Sequence, residues 1–141
     1  MIELYHSTHS TCSQKVRLCL AEKGLAWTGH HLNLRRFDQL EPEFLALNPA
    51  GLVPVLVDGG QVLTESRVIN EYLEDAYPQP RLSPEGAHAR ARMRLWTRRA
   101  SQEGGIDSGG CEFRYAFQLL RDCALGQLQV VGRLKIEPVL R

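Results

Sequence analysis

The hydrophobic pattern between residues 53 and 77 predicts two short strands followed by a helix. Val53 to Val57 is an uninterrupted apolar run, which is typical of a buried strand. Asp58-Gly59-Gly60 follows as a hairpin turn, because glycine adopts the positive φ angles that such turns need. Val62 to Thr64 is then the return strand. A helix begins at Thr64 to Ser66 and carries apolar residues at helical spacing, namely Val68, Ile69, Tyr72, Leu73 and Ala76.

The residues before this hairpin predict two further strands, each followed by a helix. Ile2 to Tyr5 and Ala26 to Asn33 are the strands, and Pro42 to Leu47 is a short second helix. The first helix spans about Thr11 to Lys23 and ends at Gly24. One of its faces is predicted to be apolar, with Cys12, Val16, Cys19 and Leu20. The order βαβαββα predicts an α/β thioredoxin-like domain with a mixed four-stranded sheet and helices on both faces.

The sequence after residue 78 predicts a second, helical domain. Ser83-Pro84-Glu85 combines an N-cap, a proline at the first helical position and an early acid, and so opens a long helix to about Glu103. Glycines follow, and Cys111 to Leu125 is predicted as another helix. We therefore expect a short, incomplete all-helical domain after the first one, with the boundaries 1–78, linker 79–84 and 85–141.

Composition and charge narrow the class of function. With 43% hydrophobic and 23% charged residues the chain is typical of globular proteins, and its net charge of +1 argues against a generic nucleic-acid binder. Residues 1–80 hold six Lys and Arg against ten Asp and Glu, whereas residues 81–141 hold eleven against six. Opposite net charges on the two predicted domains indicate that they complement each other.

The same composition predicts a cytoplasmic location. No apolar run approaches the length of a membrane span, and Met1 leads directly into a predicted strand rather than a signal peptide. The four cysteines are spaced as neither a zinc site nor a Cys-x-x-Cys pair, so free thiols in a reducing compartment are expected.

Two features of the hairpin region suggest a binding site for a small peptide. Pro54 opens a strand that looks central, and a cis Val53-Pro54 bond would leave the backbone N–H and C=O of Val53 free to pair with a peptide as an added strand. Glu65 and Ser66 stand at a helix start, where free N–H groups favour a carboxylate and Glu65 offers a negative charge to an ammonium group. The alternatives are a plain strand-initiating proline and an ordinary helix start.

Two residues near the start of the first helix are candidates for thiol chemistry. Ser10 precedes that helix, where its hydroxyl, the backbone N–H groups and the helix dipole would stabilise a thiolate. Helix capping by Ser10 is the alternative. Cys12 lies in the first turn, where its own thiolate would be favoured and a mixed disulfide would be possible; a small buried side chain is its alternative role.

The remaining candidates have ordinary structural explanations. His6, His9 and Cys12 are spaced superficially like metal ligands, but a zinc site needs a fourth ligand and none is evident, so no metal is predicted. His30 and His31 are expected to be half-exposed strand residues. The arginines of the long helix are expected to form a solvated basic face.

These motifs together resemble the glutathione-binding half of cytosolic glutathione S-transferases. The segments Val-Pro-Val-Leu and Leu-Thr-Glu-Ser-Arg-Val-Ile-Asn-Glu-Tyr-Leu carry the resemblance, and His-Ser-Thr-Cys-Ser-Gln-Lys-Val-Arg is similar to the corresponding segment of zeta-class members. The resemblance covers roughly residues 1 to 100. It implies that the turn at Val53-Pro54 holds the cysteinyl part of glutathione and that Glu65-Ser66 holds its γ-glutamyl end.

The resemblance also assigns roles to individual residues. It places Ser10 on the catalytic serine with Thr11 beside it, and it places Cys12 on the functional cysteine of beta-class members. Leu52 is a departure, since many members carry Gln or Lys there, touching the glycyl end. The implied catalytic residues are thus Ser10 and Cys12, and the implied glutathione-binding residues are Thr11, Leu52, Val53, Pro54, Glu65 and Ser66.

The implied function is that of a glutathione transferase of cytoplasmic detoxification. Glutathione would be the co-substrate and a small electrophile its partner, in a conjugation or an isomerisation, without a metal, nucleic acid or membrane. The resemblance also implies a homodimer, joined partly through the second domain. Two alternatives remain open: a glutathione-binding but inactive remnant, and a monothiol glutathione-dependent oxidoreductase acting through Cys12.

Overall fold

The computed structural model of the 141-residue chain describes residues 1–103. The chain divides into two compact units, Met1–Arg81 and Leu82–Arg141. The strands are β1 (Ile2–His6), β2 (Trp27–His31), β3 (Val55–Asp58) and β4 (Gln61–Thr64). The α-helices are α1 (Thr11–Glu22), α2 (Pro42–Leu47), α3 (Ser66–Ala76) and α4 (Ala87–Glu103). Two short 3₁₀ turns, Leu34–Arg36 and Asp38–Leu40, lie between β2 and α2.

The first unit is built on a four-stranded mixed sheet with the strand order β2-β1-β3-β4. Strand β1 pairs with β2 in parallel and with β3 antiparallel, and β3 pairs antiparallel with β4. Both the element order and the mixed pairing confirm the predicted βαβαββα thioredoxin-like domain. Within the described residues, no helix is both long enough and apolar enough to cross a bilayer.

Alternation along the strands divides the core between the two faces of the sheet. Leu4 lies opposite Leu56, and Tyr5 lies opposite Val55, so these two pairs point to opposite faces. On the Val55 face, Phe44 of α2 packs with Val55 and Leu32, and partly buried Tyr5, Leu47 and Val53 extend this cluster. The buried residues of α1 and α3 include Val16, Leu20, Ile69 and Leu73, all fully buried.

Helix α1 differs in detail from its prediction. It ends at Glu22, because Lys23 serves as the C-cap and Gly24 follows with a φ of +63°. Its buried face carries Ser13 together with Val16, Cys19 and Leu20, whereas Cys12 is only half-buried. The predicted apolar face was therefore wrong by one position, since Ser13 turns inward to hydrogen-bond the backbone N–H of Ser7 at 3.3 Å.

Helix α4 begins later than the sequence predicted. The N-terminal signature at Ser83-Pro84-Glu85 does not start it; the helix begins at Ala87. Gly86 has a φ of +83°, a value outside the right-handed helical region, so the helix can only begin after it. The carbonyl of Gly86 then accepts the first helical hydrogen bond from Arg90 N–H at 3.1 Å. The helix predicted over Cys111 to Leu125 lies outside the described residues.

A buried lysine ties the end of α1 to the end of α3. The Lys23 side chain is fully buried and its Nζ donates to the carbonyl oxygens of Tyr77 at 2.8 Å and Pro80 at 3.1 Å. The same ammonium forms an ion pair with Glu74 Oε2 at 2.7 Å. Three acceptors therefore match the three donors of the ammonium group, which is what allows a charge to be buried.

The same end of α3 is also bound to the β3–β4 hairpin. Asp58, the last residue of β3, accepts hydrogen bonds at Oδ2 from the hydroxyls of Tyr72 at 3.0 Å and Tyr77 at 2.5 Å. The hydrogen bond to Asp58 raises the pKa of Tyr77 to about 12, with burial as a lesser cause. The helix is thereby fastened to the sheet at the edge remote from its own first turn.

Candidate functional site

One edge of the sheet gathers the residues singled out from the sequence. Tyr5 lies opposite Val55, and Val55 lies opposite Thr64, so the end of β1, the start of β3 and the end of β4 are neighbours. The segments that adjoin these three strand ends carry, respectively, Ser10, Val53-Pro54 and Glu65-Ser66. The structure thus brings the three candidate segments to the same edge.

The Val53-Pro54 bond is cis, as the sequence predicted. Strand β3 begins only at Val55, because Pro54 has no N–H to donate to the ladder. Within residues 1–103 neither the N–H nor the C=O of Val53 has a hydrogen-bond partner. These two groups are therefore free to pair with another strand.

Asn48, which the sequence reasoning passed over, shapes the turn that leads into Val53. It is buried, and its Nδ2 donates to the carbonyl oxygen of Leu52 at 2.8 Å while its Oδ1 accepts from Ala50 N–H at 3.1 Å. The backbone N–H of Gly51 closes the turn on the Asn48 carbonyl at 2.9 Å. The Asn-Pro-Ala-Gly sequence was the available signal, because Asn side chains commonly bond their own backbone two residues on.

Glu65 occupies an unusual backbone conformation at the start of α3. Its φ is +68°, in a region that non-glycine residues seldom adopt, and its exposed side chain makes no capping hydrogen bond. A conformation of this kind costs about 1–3 kcal/mol and is found preferentially at functional sites. Ser66 follows as the first residue of the helix and is only 8% exposed. Within the described part of the chain its hydroxyl has no hydrogen-bond partner.

Ser10 caps helix α1. Its Oγ accepts a hydrogen bond from the backbone N–H of Ser13 at 3.2 Å, and its carbonyl accepts from Gln14 N–H at 3.0 Å. In this bond the hydroxyl serves as acceptor, so its own proton is still available for donation. Thr11, the next residue, is exposed.

The two described cysteines have different surroundings. Cys19 is buried in α1, and this burial raises the pKa of its thiol to about 12, so it is a core residue, as predicted. Cys12 is half-buried in the first turn of the same helix, and it is a free thiol. Of these two thiols, only Cys12 is partly open to solvent.

The histidines are engaged in local contacts. His6 is buried, and this burial, followed by the charges of Arg17, His31 and His30, lowers its pKa. Thr8 Oγ1 lies 3.2 Å from Nε2 of exposed His31. His30 lies 2.8 Å from Glu3 Oε2 and stacks on Tyr5. Among residues 1–103 no three His, Cys, Asp or Glu side chains converge as a metal would require.

Comparison with known proteins assigns the first unit to a family. Residues 9–76 match the family described as glutathione S-transferase, N-terminal domain. The chain is 42% identical over 90 residues to glutathione S-transferase Z1 of Arabidopsis thaliana, which covers 64% of this chain and 41% of that protein. It is 46% identical over 96 residues to maleylacetoacetate isomerase of Pseudomonas aeruginosa, covering 66% of this chain and 45% of that protein.

A solved structure extends the agreement to the fold. A maleyl pyruvate isomerase, described as a bacterial glutathione S-transferase of the zeta class, superposes with a TM-score of 0.71 at 32% identity. That alignment covers 92% of this chain and 56% of the other. The chain spans less than half the length of the two curated relatives above. Residues 9–76 of this chain therefore belong to the family of glutathione S-transferase N-terminal domains.

Proposed function

We propose that this protein binds glutathione and uses its thiolate to conjugate or isomerise a small electrophile. One observation carries the proposal. The free backbone N–H and C=O of Val53 and the first turn of α3 lie at the same edge of the sheet. The names of the relatives, which include both transferases and isomerases, support both reaction types.

The register indicates how the tripeptide would lie. Val55 is paired with Thr64, so one step further along each strand Pro54 stands beside Glu65. An added antiparallel strand whose cysteine pairs with Val53 would direct its preceding unit, the γ-glutamyl group, toward Glu65 and Ser66. There the free N–H groups of α3 and the Ser66 hydroxyl would bind the carboxylate, and the Glu65 carboxylate would bind the ammonium.

Ser10 is the proposed catalytic residue. Its hydroxyl proton is not used in capping α1, so it can donate to the sulfur of glutathione and stabilise the thiolate. The positive end of the α1 dipole favours the same negative charge. Thr11 and Cys12, in the first turn, would line the same region.

The reaction begins when the thiolate attacks an electrophilic carbon and a C–S bond forms. In conjugation the electron pair leaves with a leaving group, or a proton is taken up at the neighbouring carbon. In isomerisation, addition to a double bond allows rotation about the resulting single bond, and elimination of the thiolate restores the double bond.

We also propose a cytoplasmic location and a homodimer, which family membership supports.

Substitution of Ser10 tests the chemistry apart from the binding. In Ser10→Ala the loss of the donor to sulfur is expected to lower kcat for an electrophile such as a halogenated nitrobenzene by about 10²- to 10³-fold. Because the cap is lost as well, Ser10→Gly is the matched control for stability, since glycine caps nearly as well as serine. Calorimetry should show that both variants still bind glutathione. Retained turnover in both would refute the role of Ser10.

A second candidate is a monothiol oxidoreductase that acts through Cys12, favoured by the position of this free thiol in the first turn of α1. Its thiolate would attack a disulfide, displace one thiolate and form a mixed disulfide that a second glutathione resolves. Cys12→Ser should abolish this reduction and leave conjugation intact. If Cys12→Ser has no effect on disulfide reduction, this candidate is excluded. Binding of glutathione without either activity would instead indicate a binding-only protein.

A further inference from the structure

The edge beside Val53 carries an exposed apolar surface where a bound tripeptide would end. Leu52 is 60% exposed, although it lies between buried Gly51 and half-buried Val53. Leu40, from the turn before α2, is 53% exposed and lies close to Gly51: a Cβ added to that glycine would meet Leu40 Cδ2 at 2.9 Å. Leu52 and Leu40 thus flank Gly51, and together we call these two side chains the terminal apolar patch.

The direction of the added strand decides which part of the peptide meets this patch. The proposed function places the γ-glutamyl unit on the Pro54 side of Val53, beside Glu65. In an antiparallel pair the unit after the cysteine then lies on the other side, opposite Leu52, about 3.4 Å further along the strand. The last residue of the tripeptide, with its free carboxylate, would therefore face the terminal apolar patch.

Leu52 is held in this position by its backbone. The buried Asn48 side chain donates to the Leu52 carbonyl at 2.8 Å, which fixes the peptide unit and leaves the isobutyl group directed into solvent. A leucine side chain has no donor for a carboxylate. Arg35 and Arg36 lie instead between β2 and α2, on the connection that carries Leu40, and belong to the exposed turn Leu34–Arg36.

We infer that the site does not recognise the C-terminal carboxylate of its thiol peptide, and that it accepts γ-glutamylcysteinyl thiols whose far end is neutral as readily as glutathione. This inference rests on the proposed function, because it assumes the same strand direction. Among residues 1–103, recognition then rests on Glu65 and Ser66 at the amino-acid end, on the backbone of Val53 and on the Ser10 hydroxyl at the sulfur. The substrate class is correspondingly broad: γ-glutamylcysteine amides and esters belong to it.

The test compares two ligands on the unaltered 141-residue protein. Calorimetry measures the dissociation constants of reduced glutathione and of its glycyl monoethyl ester, in which the terminal charge is removed. We expect the two constants to agree within about threefold. A carboxylate held by a cation such as Arg35 or Arg36 would lose charge-assisted hydrogen bonds on esterification, which weakens binding by roughly tenfold or more. That result would overturn the inference and leave the proposed function intact, whereas absence of binding by both ligands would overturn the two together.

A charged substitution tests the placement independently. Leu52→Lys adds an ammonium group beside the proposed position of the carboxylate, so glutathione should bind roughly two- to fivefold more tightly at low salt and the ester should not. The gain should disappear at high salt because the pair is exposed. Val62→Lys is the matched control, since Val62 is 43% exposed on β4 and outside the site. An equal response of both ligands to Leu52→Lys would contradict the placement of the terminal carboxylate.

Discussion

Removal of the Lys23 ammonium should destabilise the first unit more than any exposed substitution. The side chain is fully buried, its three donors are matched by two carbonyls and Glu74, and it holds the last turn of α3 and the following turn at Pro80 against the end of α1. Lys23→Met keeps the length of the side chain and its apolar stem. It leaves the Tyr77 and Pro80 carbonyls without this donor and removes the ion pair with Glu74.

The expected loss follows from these contacts. Breaking a buried ion pair by removing one partner costs about 3–5 kcal/mol, because the remaining charge stays desolvated. Since a folded domain is stable by only about 5–15 kcal/mol, Lys23→Met should remove about a fifth or more of the unfolding free energy. Arg36→Met is the matched control: Arg36 is exposed, so the change should lie within about 0.5 kcal/mol.

The measurement has to report on the first unit alone, because a chain with two units need not unfold in one step. Native-state amide exchange of the buried strand residues Leu4 and Leu56 meets this need. Lys23→Met should cost at least about 1 kcal/mol less in a Glu74→Leu background than in the unaltered protein, because the ion pair between the two residues is then already absent. A loss below about 1 kcal/mol in Lys23→Met, or equal losses in the two backgrounds, would refute the argument.

Two further predictions concern the start and the end of α3. Glu65→Gly should raise the unfolding free energy by about 1 kcal/mol, because glycine adopts the φ of +68° without strain, and it should weaken glutathione binding roughly tenfold. Denaturation measures the first effect and calorimetry the second. A lower unfolding free energy in Glu65→Gly would contradict the strain argument. The hydrogen bond to Asp58 raises the pKa of Tyr77 from 10.0 to about 12, so the protonated phenol is favoured by folding and its contribution is complete below pH 10 and lost as the pH rises through 12. Alkaline unfolding curves should therefore fall less steeply in Tyr77→Phe, and identical slopes would exclude this linkage.

The sequence predicted the parts of the fold that local pattern determines. The apolar run before Asp58-Gly59-Gly60 and the stripe along α3 each fit one secondary structure, and both elements occur, although β3 begins two residues later than predicted, at Val55. The cis bond at Pro54 was predictable for a related reason: a proline at the head of a central strand has few compatible conformations. Local covalent constraints and periodicity were sufficient for these features.

The features that escaped prediction depend on partners remote in sequence. Lys23 reads as an ordinary polar residue at a helix end, and only the packed structure brings it to the carbonyl of Pro80, 57 positions away. Glu65 gives no sign of a positive φ, because acidic residues are common at helix starts. The late start of α4 depends on the conformation of Gly86, which the stronger signature at Ser83-Pro84-Glu85 concealed.

Capping of α1 and stabilisation of a thiolate are compatible roles for Ser10. The structure gives its oxygen to the N–H of Ser13, so the capping role predicted from sequence is real. A hydroxyl group, however, accepts through its lone pairs and donates through a separate hydrogen, and only the first function is used in the cap. The cap also fixes the oxygen at the helix start, where a negative sulfur would be most favoured. Capping therefore positions the donor that the proposed chemistry requires, and Ser10→Gly, which spares helix stability while removing the donor, separates the two roles.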